Sequence, residues 1–360
     1  MDIADFPANS IKLMDARYAG IIKKAVKILI QHPKSAAAMM KVSAHESRAK
    51  KQRGKWQEAG VSVPPVLIVS ATDNCNLACK ECYSANVCRE KTPELTKERI
   101  AGLLDEASAA GCSTVLLAGG EPLLARDWVY SVAEHKELLG LVFTNGQLFD
   151  GEWYGFFSAN RNIVPLLSIE GSPERTDNRR GGGVTEKIKS VMAELRKRKI
   201  PFGISVTTGA HNIGEVTAGD FVDTYIELGC RLVIHVEYVP MGESDEFLPL
   251  SENDKQRLSA YCCANTNDEN AIFIAFPGNE AQYGGCLAAG RGFAHIAASG
   301  VLEPCPFAPY SDRDLNSLSF IEALKSPLFA ALRADASSLH EGAGGCSLRN
   351  KEAWIREIIG

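Results

Sequence analysis

Three cysteines stand close together in the order C-x3-C-x2-C: Cys75, Cys79 and Cys82, directly after the apolar run 66–69. A thiolate is a soft ligand suited to iron–sulfur clusters. Three thiolates can hold three irons of a [4Fe–4S] cube, which leaves the fourth iron open to a substrate or cosubstrate. A zinc site is the competing interpretation, because C-x2-C pairs also bind zinc and Cys88 can supply a fourth ligand.

A second group of candidate residues follows β-like runs further along the chain. Gly119 and Gly120 let the backbone approach a ligand closely, and Glu121 supplies a carboxylate that suits an ammonium group. Each of the later polar residues either contacts a ligand or satisfies the hydrogen bonds of a strand end. These later residues are Asn145, Ser168, Glu170, Ser205 and Thr207.

The C-terminal third carries another set of cysteines. Cys286 is followed by thirteen residues, Gly300, four more residues and Cys305. The β-like runs 293–298 and 301–303 predict a hairpin that brings Cys286 and Cys305 toward one site, with Cys346 as the natural third ligand. The alternative is that these are structural thiols, which is the interpretation for the remaining five cysteines. Those five are Cys88, Cys112, Cys230, Cys262 and Cys263.

The elements that must position these residues alternate between short β-like runs and longer amphipathic runs. The β-like runs are 66–70, 114–118, 139–144, 164–169, 202–207 and 232–238, and the helical runs lie near 94–110, 127–137, 150–158, 185–199 and 215–228. This alternation predicts a parallel sheet with helices outside it. In such folds function sits at the C-terminal ends of the strands, where the candidate residues lie.

The N-terminal segment is basic and helical. Apolar residues at three- and four-residue steps predict a helix over 9–31, and a second helix is expected over 35–56. Residues 1–60 carry twelve Lys/Arg against five Asp/Glu, a local charge of +7 that leaves −12 for the rest of the −5 chain. We interpret these helices as a cap on the main domain, with a lipid or membrane surface contact as the alternative and a nucleic-acid contact as unlikely.

The bulk composition is ordinary for a globular protein of 360 residues, with 45% hydrophobic and 23% charged residues. No apolar run approaches the ~18 residues needed to cross a membrane, and the acidic start of the chain does not look like a signal peptide. Eleven cysteines in an unexported chain favour ligands or free thiols over disulfides. We therefore expect a cytoplasmic protein.

The chain resembles the radical S-adenosylmethionine (AdoMet) superfamily. The family signature is C-x3-C-x2-C followed by an aromatic residue, here Tyr83, and the family's GGEP motif matches residues 119–122. Residues 168–171 are similar to the family's S-[LI]-D-G, with Glu170 in place of Asp. The spacing from Cys286 to Cys305 resembles the opening of a SPASM/twitch auxiliary-cluster domain, although Arg349 stands where a twitch domain commonly has its last cysteine.

The resemblance implies a fold, a set of cofactors and their ligands. The fold would be α/β: a partial (β/α)6 barrel over 63–245, with an N-terminal helical extension over 1–62 and a small cysteine-rich α+β domain over 246–360. Cys75, Cys79 and Cys82 would hold a [4Fe–4S] cluster whose open iron binds AdoMet, and the three C-terminal cysteines would hold a second cluster. The AdoMet contacts would come from Tyr83, Gly119, Gly120, Glu121, Asn145, Ser168, Glu170, Ser205 and Thr207.

The activity expected from the resemblance is reductive cleavage of AdoMet to a 5′-deoxyadenosyl radical that removes a hydrogen atom from a small molecule or peptide. The second cluster would bind substrate or relay electrons, and the electron donor would be a flavodoxin or ferredoxin. Two alternatives remain: a single-cluster enzyme at a lipid or membrane surface, and a cysteine-rich zinc or electron-transfer protein. No residue is singled out as catalytic, although Cys230 and Tyr238 are candidate hydrogen-atom donors.

Overall fold

A computed structural model describes residues 6–87, 89, 93–242, 247–278, 280–339 and 346–360. Within these residues nine strands form one sheet in the order β7-β6-β5-β4-β3-β2-β1-β8-β9. The strands are β1 Val66–Ser70, β2 Thr114–Ala118, β3 Leu139–Thr144, β4 Ile163–Ile169, β5 Phe202–Thr208, β6 Cys230–Glu237, β7 Ile272–Phe276, β8 Phe293–Ile296 and β9 Leu302–Glu303. Neighbours from β7 to β8 pair in parallel, and β9 runs antiparallel to β8.

Helices connect successive parallel strands, as right-handed βαβ connections require. They are α1 Phe6–Ile28, α2 Pro33–Glu58, α3 Tyr83–Asn86, α4 Lys97–Ala110, α5 Arg126–Glu134, α6 Gly151–Ala159, α7 Pro173–Arg180, α8 Val184–Lys197, α9 Ile213–Val216, α10 Gly219–Glu227, α11 Glu252–Ala264, α12 Phe320–Leu324, α13 Pro327–Ala334, α14 Ser347–Asn350 and α15 Glu352–Ile359. The predicted partial barrel of the α/β class is confirmed, with helical N-terminal and mixed C-terminal segments.

The sheet extends beyond the six predicted strands at both edges. β7 adds a seventh parallel strand, because α11 and the apolar run Ile272–Phe276 make one more helix–strand unit. The predicted hairpin forms as β8 and β9, and it joins the sheet directly: β8 pairs in parallel with β1, with Val66 opposite Phe293 and Val69 opposite Ile296.

Helix α1 closes the end of the barrel formed by the N-terminal ends of the strands. Ile22 on the helix and Leu29 just after it are buried in one cluster with Leu139, Val164 and Ile234, which lie on three different strands. The helix begins at Phe6 and ends at Ile28, a few residues before the predicted range. The cap interpretation therefore describes this helix, whose apolar face lies inside the barrel.

A buried charge network ties the two N-terminal helices to the sheet. Arg53 on α2 donates to Asp15 on α1 (2.8 Å) and to Glu46 (2.8 Å). Glu46 in turn accepts a hydrogen bond from Ser113 Oγ, just before β2 (2.5 Å). All four residues are buried, and buried charges need such partners because desolvating an unpaired ion is costly. Within the described residues, no helix is long and apolar enough to span a bilayer.

Two glycines after β2 set how closely the loop after β1 can approach. A Cβ added to Gly120 would lie 2.0 Å from the carbonyl oxygen of Asn74, and one added to Gly119 would lie 2.6 Å from that of Thr72. The gap is closed by backbone hydrogen bonds: Gly120 N donates to Thr72 O (2.7 Å) and Glu121 N donates to Asn74 O (2.8 Å). Only glycine at position 120 permits this contact between two main chains.

We expect Gly120→Ala to destabilise the protein by about 2 kcal/mol, because the added methyl must push the loop off the strand end. The matched control is Gly182→Ala, since a Cβ at Gly182 meets nothing within 4 Å. Thermal unfolding of the two variants and the unsubstituted protein measures the effect. Equal melting temperatures for both variants would show that the loop can move away from the added methyl group with no loss of stability.

His235 on β6 is a buried histidine whose protonation at low pH destabilises the folded protein. Its side chain is fully buried, it shares a hydrogen bond with Thr208 Oγ1 (3.2 Å), and burial lowers its pKa to about 4. An unfolded chain takes up this proton near pH 6.5, whereas the folded chain does not until about pH 4. Stability therefore falls as the pH drops through this window.

Between pH 7.5 and pH 5.5 the His235 contribution should cost about 1 kcal/mol of unfolding free energy. The variant His235→Asn keeps a polar side chain but cannot titrate, so its stability should fall less over the same interval. Denaturant unfolding at both pH values compares the two proteins. An identical pH dependence would mean that His235 is protonated in the folded state as easily as in the unfolded chain.

Candidate functional site

The cysteine loop lies at the C-terminal end of β1, between that strand and α3. Its near side is held by the hydrogen bonds to the Gly119–Gly120 turn, and its far side by α7, because Lys80 N donates to Arg179 O (2.9 Å). Cys75 is exposed, whereas Cys79 and Cys82 are half-buried. The loop thus presents its thiols at the edge of the sheet where the predicted ligand residues also lie.

These thiols must lose their protons to become good ligands, and a bound metal cation favours that loss. Burial raises the pKa of Cys75 and Cys79 above the ordinary value, although the nearby Arg180 partly offsets the shift at Cys79. Thiol deprotonation is therefore coupled to metal loading. Within the described residues, no three His, Cys, Asp or Glu side chains are grouped to hold a single metal ion, and Cys88 of the zinc interpretation lies outside them.

Glu121 is buried and holds two neighbouring strand ends together. One of its oxygens accepts hydrogen bonds from Thr144 Oγ1 (2.7 Å) and Leu123 N (3.1 Å), and the other accepts from Asn145 N (2.8 Å). Burial raises the pKa of its carboxyl group, against the lowering effect of those donors. The carboxylate is thus positioned by protein donors beside the cavity that it lines.

Asn145 links the end of β3 to the cysteine loop. Its Nδ2 donates to Asn76 Oδ1 (2.8 Å) and lies 3.9 Å from Cys75 Sγ. A hydrogen-bond donor beside a cluster sulfur is one of the levers by which a protein tunes a cluster's potential. The structure therefore brings Asn145 to the candidate metal ligands as well as to the cavity.

The remaining predicted residues lie together at the ends of β4 and β5. Ser168 and Ser205 share a hydrogen bond (3.1 Å), and they line the same cavity as Thr207. Glu170 does not line it: its Oε1 accepts hydrogen bonds from Arg179 (2.7 Å) and Arg180 (2.8 Å). Its buried Oε2 has no hydrogen-bond partner in the described part of the chain.

Arg179 is a site residue that the sequence reasoning missed. Arg179 joins Glu170 to Thr207 Oγ1 (2.8 Å) and also reaches the carbonyl groups of Lys80 (3.2 Å) and Glu81 (3.3 Å) on the cysteine loop. The sequence signal for it was the pair Arg179 and Arg180 at the end of α7, the helix that follows β4. Such a pair ordinarily indicates a solvated helix terminus.

A cavity of ≈ 430 Å³ runs from these strand ends through the barrel to α1. It is lined by Cys75, Cys79, Cys82, Tyr83, both glycines and Glu121 at one end, and by Ile22 and Leu29 at the other. Its middle is mainly apolar. Tyr238, a candidate hydrogen-atom donor, lines it, whereas Cys230 is fully buried at the opposite end of the sheet, where its thiol donates to Leu232 O (3.3 Å).

The C-terminal cysteines form a second group. Burial raises the pKa of the Cys286 thiol well above its ordinary value, and the charges of Glu280, Cys305 and Cys346 act on it in the same direction. Cys305 and Cys346 thus both lie within electrostatic reach of Cys286. Tyr83 of the first loop packs edge-on against Phe307, two residues after Cys305, with ring centroids 5.0 Å apart.

A buried hydrogen-bond chain connects the two cysteine groups. Ser70 Oγ, at the end of β1, shares a hydrogen bond with His295 Nε2 (2.9 Å), and His295 Nδ1 is bonded to Glu303 Oε2 (2.7 Å). Arg89 binds Glu303 (2.8 Å) and Pro306 O (2.8 Å), beside Cys305. Burial lowers the pKa of His295, against the raising effect of its hydrogen bond to Glu303.

The first loop fits an iron–sulfur cluster with a bound cosubstrate. It offers three soft sulfur ligands on one short segment, at the mouth of a cavity. The turn at Gly120 leaves no room for a side chain, so the backbone forms a close-fitting wall of this site. Three thiolates of one cube bind three different irons, so they do not have to converge on a single point.

Comparison with known proteins agrees with this assignment. The AdoMet-dependent heme synthase of Methanosarcina barkeri is 28% identical over 329 residues, which cover 83% of this chain and 93% of the relative. The Fe-coproporphyrin III synthase of the same organism is 27% identical over 43% of this chain and 39% of its own.

Among solved structures, SuiB of Streptococcus suis bound to S-adenosylmethionine aligns with a TM-score of 0.66 over 85% of this chain and 78% of SuiB, at 17% identity. SuiB has also been solved with its precursor peptide SuiA. Residues 69–228, which contain the cysteine loop and the C-terminal ends of β1 to β5, match the Radical SAM superfamily. This stretch thus matches a radical SAM domain, and members of that superfamily bind a [4Fe–4S] cluster and cleave AdoMet.

Proposed function

We propose that this protein is a two-cluster radical SAM enzyme that removes a hydrogen atom from a small molecule of the tetrapyrrole class. The observation that carries the proposal is the match to the AdoMet-dependent heme synthase, which extends over 93% of that relative and is not confined to the shared barrel. A second relative, the Fe-coproporphyrin III synthase, is also named for an iron tetrapyrrole.

The cavity supports a largely apolar substrate with anionic groups. Its middle is walled by apolar residues such as Leu141, Phe143 and Ile234, and α1 closes its far end. Arg17 and Arg231 lie near the α1 end, and Arg179 and Arg180 lie near the cysteine loop. A tetrapyrrole combines an apolar ring with carboxylates, and a guanidinium is the planar partner that a carboxylate prefers.

In this proposal Cys75, Cys79 and Cys82 hold the first cluster, which supplies the electron for AdoMet cleavage when it is bound. Glu121, with its carboxylate held by three protein donors, faces the amino group of AdoMet, and the Gly119–Gly120 turn forms the wall beside it. Ser168, Ser205, Thr207, Asn145 and Tyr83 complete the AdoMet pocket. Glu170 acts through Arg179 and Arg180, which it orients.

We further propose that Cys286, Cys305 and Cys346 hold the second cluster. The charge effects of Cys305 and Cys346 on Cys286 and the contact between Tyr83 and Phe307 support this assignment. The division of the chain into a helical extension (1–62), a barrel (63–245) and an auxiliary-cluster segment (246–360) belongs to the same proposal, as does a flavodoxin or ferredoxin as electron donor.

An absorbance titration tests the substrate class. Iron coproporphyrin III, added anaerobically to the reconstituted protein, should shift its Soret band with saturation at one equivalent per chain. A peptide of similar charge is the control. Saturable binding of the peptide together with an unchanged Soret band would overturn the tetrapyrrole assignment in favour of a peptide substrate.

Cys79→Ala should abolish AdoMet cleavage, because the first cluster loses one of its three ligands. The measurement is anaerobic reconstitution with iron and sulfide, reduction with dithionite, and assay of 5′-deoxyadenosine and methionine. Cys263→Ala is the control, since Cys263 is an exposed thiol on α11. Cleavage by the Cys79 variant at the control rate would contradict the assignment of the first cluster.

Cys305→Ala should lower the iron content from about eight to about four per chain while leaving part of the AdoMet cleavage intact. The physical reason is that the substitution removes a ligand of the second cluster only. Iron analysis and the same 5′-deoxyadenosine assay read out the two effects separately. Full iron retention in this variant would mean that Cys305 is a structural thiol.

A further inference from the structure

The second cysteine group has a buried carboxylate beside it. Glu280 begins the 3-10 turn Glu280–Tyr283 and is only 5% exposed. Its Oε1 accepts a hydrogen bond from Leu287 N (2.8 Å), the residue that follows Cys286. The turn therefore folds back so that the carboxylate lies against the segment that carries the Cys286 thiol.

Main-chain hydrogen bonds fix the segments around this carboxylate. Gly285 N donates to Glu280 O (3.1 Å), so the turn closes directly before Cys286. Ala289 N donates to Pro304 O (3.2 Å), which places the segment after Cys286 beside the residue that precedes Cys305. The Glu280 carboxylate therefore lies in the same region as Cys286 and Cys305.

The loop that presents Glu280 is rigidly held. Arg291 is buried, and its guanidinium donates to the carbonyl groups of Tyr283 (2.5 Å), Gly285 (3.0 Å) and Cys286 (2.5 Å). A Cβ on Gly285 would lie 1.8 Å from Ala336 O, so the loop is packed directly on the segment after α13. Fixed loops of this kind position ligands without reorganisation.

The other cysteines in the described part of the chain lie elsewhere in the fold. Cys112 donates to Pro64 O (3.1 Å) and Cys230 to Leu232 O (3.3 Å), and both are fully buried. Cys262 lies on α11, where its neighbours are Cys263 and Glu237. At the position where a fourth cysteine would follow Cys346, Arg349 instead contacts Met241 Sδ (2.8 Å).

We propose that the Glu280 carboxylate is the fourth ligand of the cluster held by Cys286, Cys305 and Cys346. This inference rests on the proposed function, which assigns those cysteines to a second cluster. A carboxylate oxygen is a competent ligand for iron, although it is harder than thiolate. With four protein ligands the second cluster is closed, so it relays electrons and does not bind substrate.

The test isolates the second cluster in the full-length protein by replacing the first three ligands (Cys75→Ala, Cys79→Ala, Cys82→Ala). In this background Glu280 is left intact, changed to Ala, or changed to Cys. Each protein is reconstituted anaerobically, reduced, and examined by electron paramagnetic resonance with and without ¹³C-cyanide, which binds an iron that lacks a protein ligand. Iron content is measured in parallel.

We expect about four irons per chain and no cyanide coupling with Glu280 intact or with Glu280→Cys, and clear ¹³C coupling with Glu280→Ala. The control Glu106→Ala removes a carboxylate on α4 that binds Arg99 and Phe320 N, and it should leave the spectrum unchanged. Cyanide coupling with Glu280 intact would overturn the inference. A background protein that holds no iron would instead overturn the proposed second cluster.

If Glu280→Ala does not fold, the comparison of Glu280 intact with Glu280→Cys still decides the matter. Replacing an oxygen ligand with sulfur should shift the reduction potential of the second cluster to a lower value, because thiolate stabilises the oxidised cluster more strongly. An unchanged potential and an unchanged spectrum would show that residue 280 does not bind the cluster.

Discussion

The parallel pairing of β8 with β1 is the constraint on which the arrangement of this protein depends. Parallel neighbours point their C-terminal ends to the same edge of a sheet. The β8–β9 hairpin is therefore fixed beside β1, and Phe307, two residues after Cys305, packs against Tyr83, which directly follows Cys82. A separately folded C-terminal unit would need an interface of its own to achieve this proximity, whereas here the hydrogen bonds of one sheet provide it.

Buried polar groups then fix the geometry that the pairing allows. The chain from Ser70 through His295 and Glu303 to Arg89 spans β1, β8, β9 and the segment beside Cys305. Every member has a partner, which is the condition under which buried polar networks rigidify a core. On the other side of the cavity, the pairing of Glu170 with two arginines holds α7 against the cysteine loop.

The sequence was informative wherever the chemistry is encoded in local spacing. The cysteine loop and the Gly119–Gly120 turn are short segments, and the alternation of strands and helices predicted a parallel sheet with helices outside it. Three features had no local signal. Arg179 resembles a solvated helix end, Glu280 gains its meaning only when the chain folds back on Cys286, and the apolar face of α1 does not reveal which surface it covers. These are long-range contacts, which periodicity cannot predict.

The position of α1 has a consequence for how the protein is made. Its Arg17 binds Gln282 across a separation of 265 residues, and its apolar face packs against strands from β3 to β6. This helix therefore leaves the ribosome long before its partners exist. Until β6 and β7 have been synthesised, part of this apolar face stays uncovered, a state in which nascent chains aggregate or engage chaperones. The helix that seals the barrel is thus among the first elements translated and among the last to reach its final place.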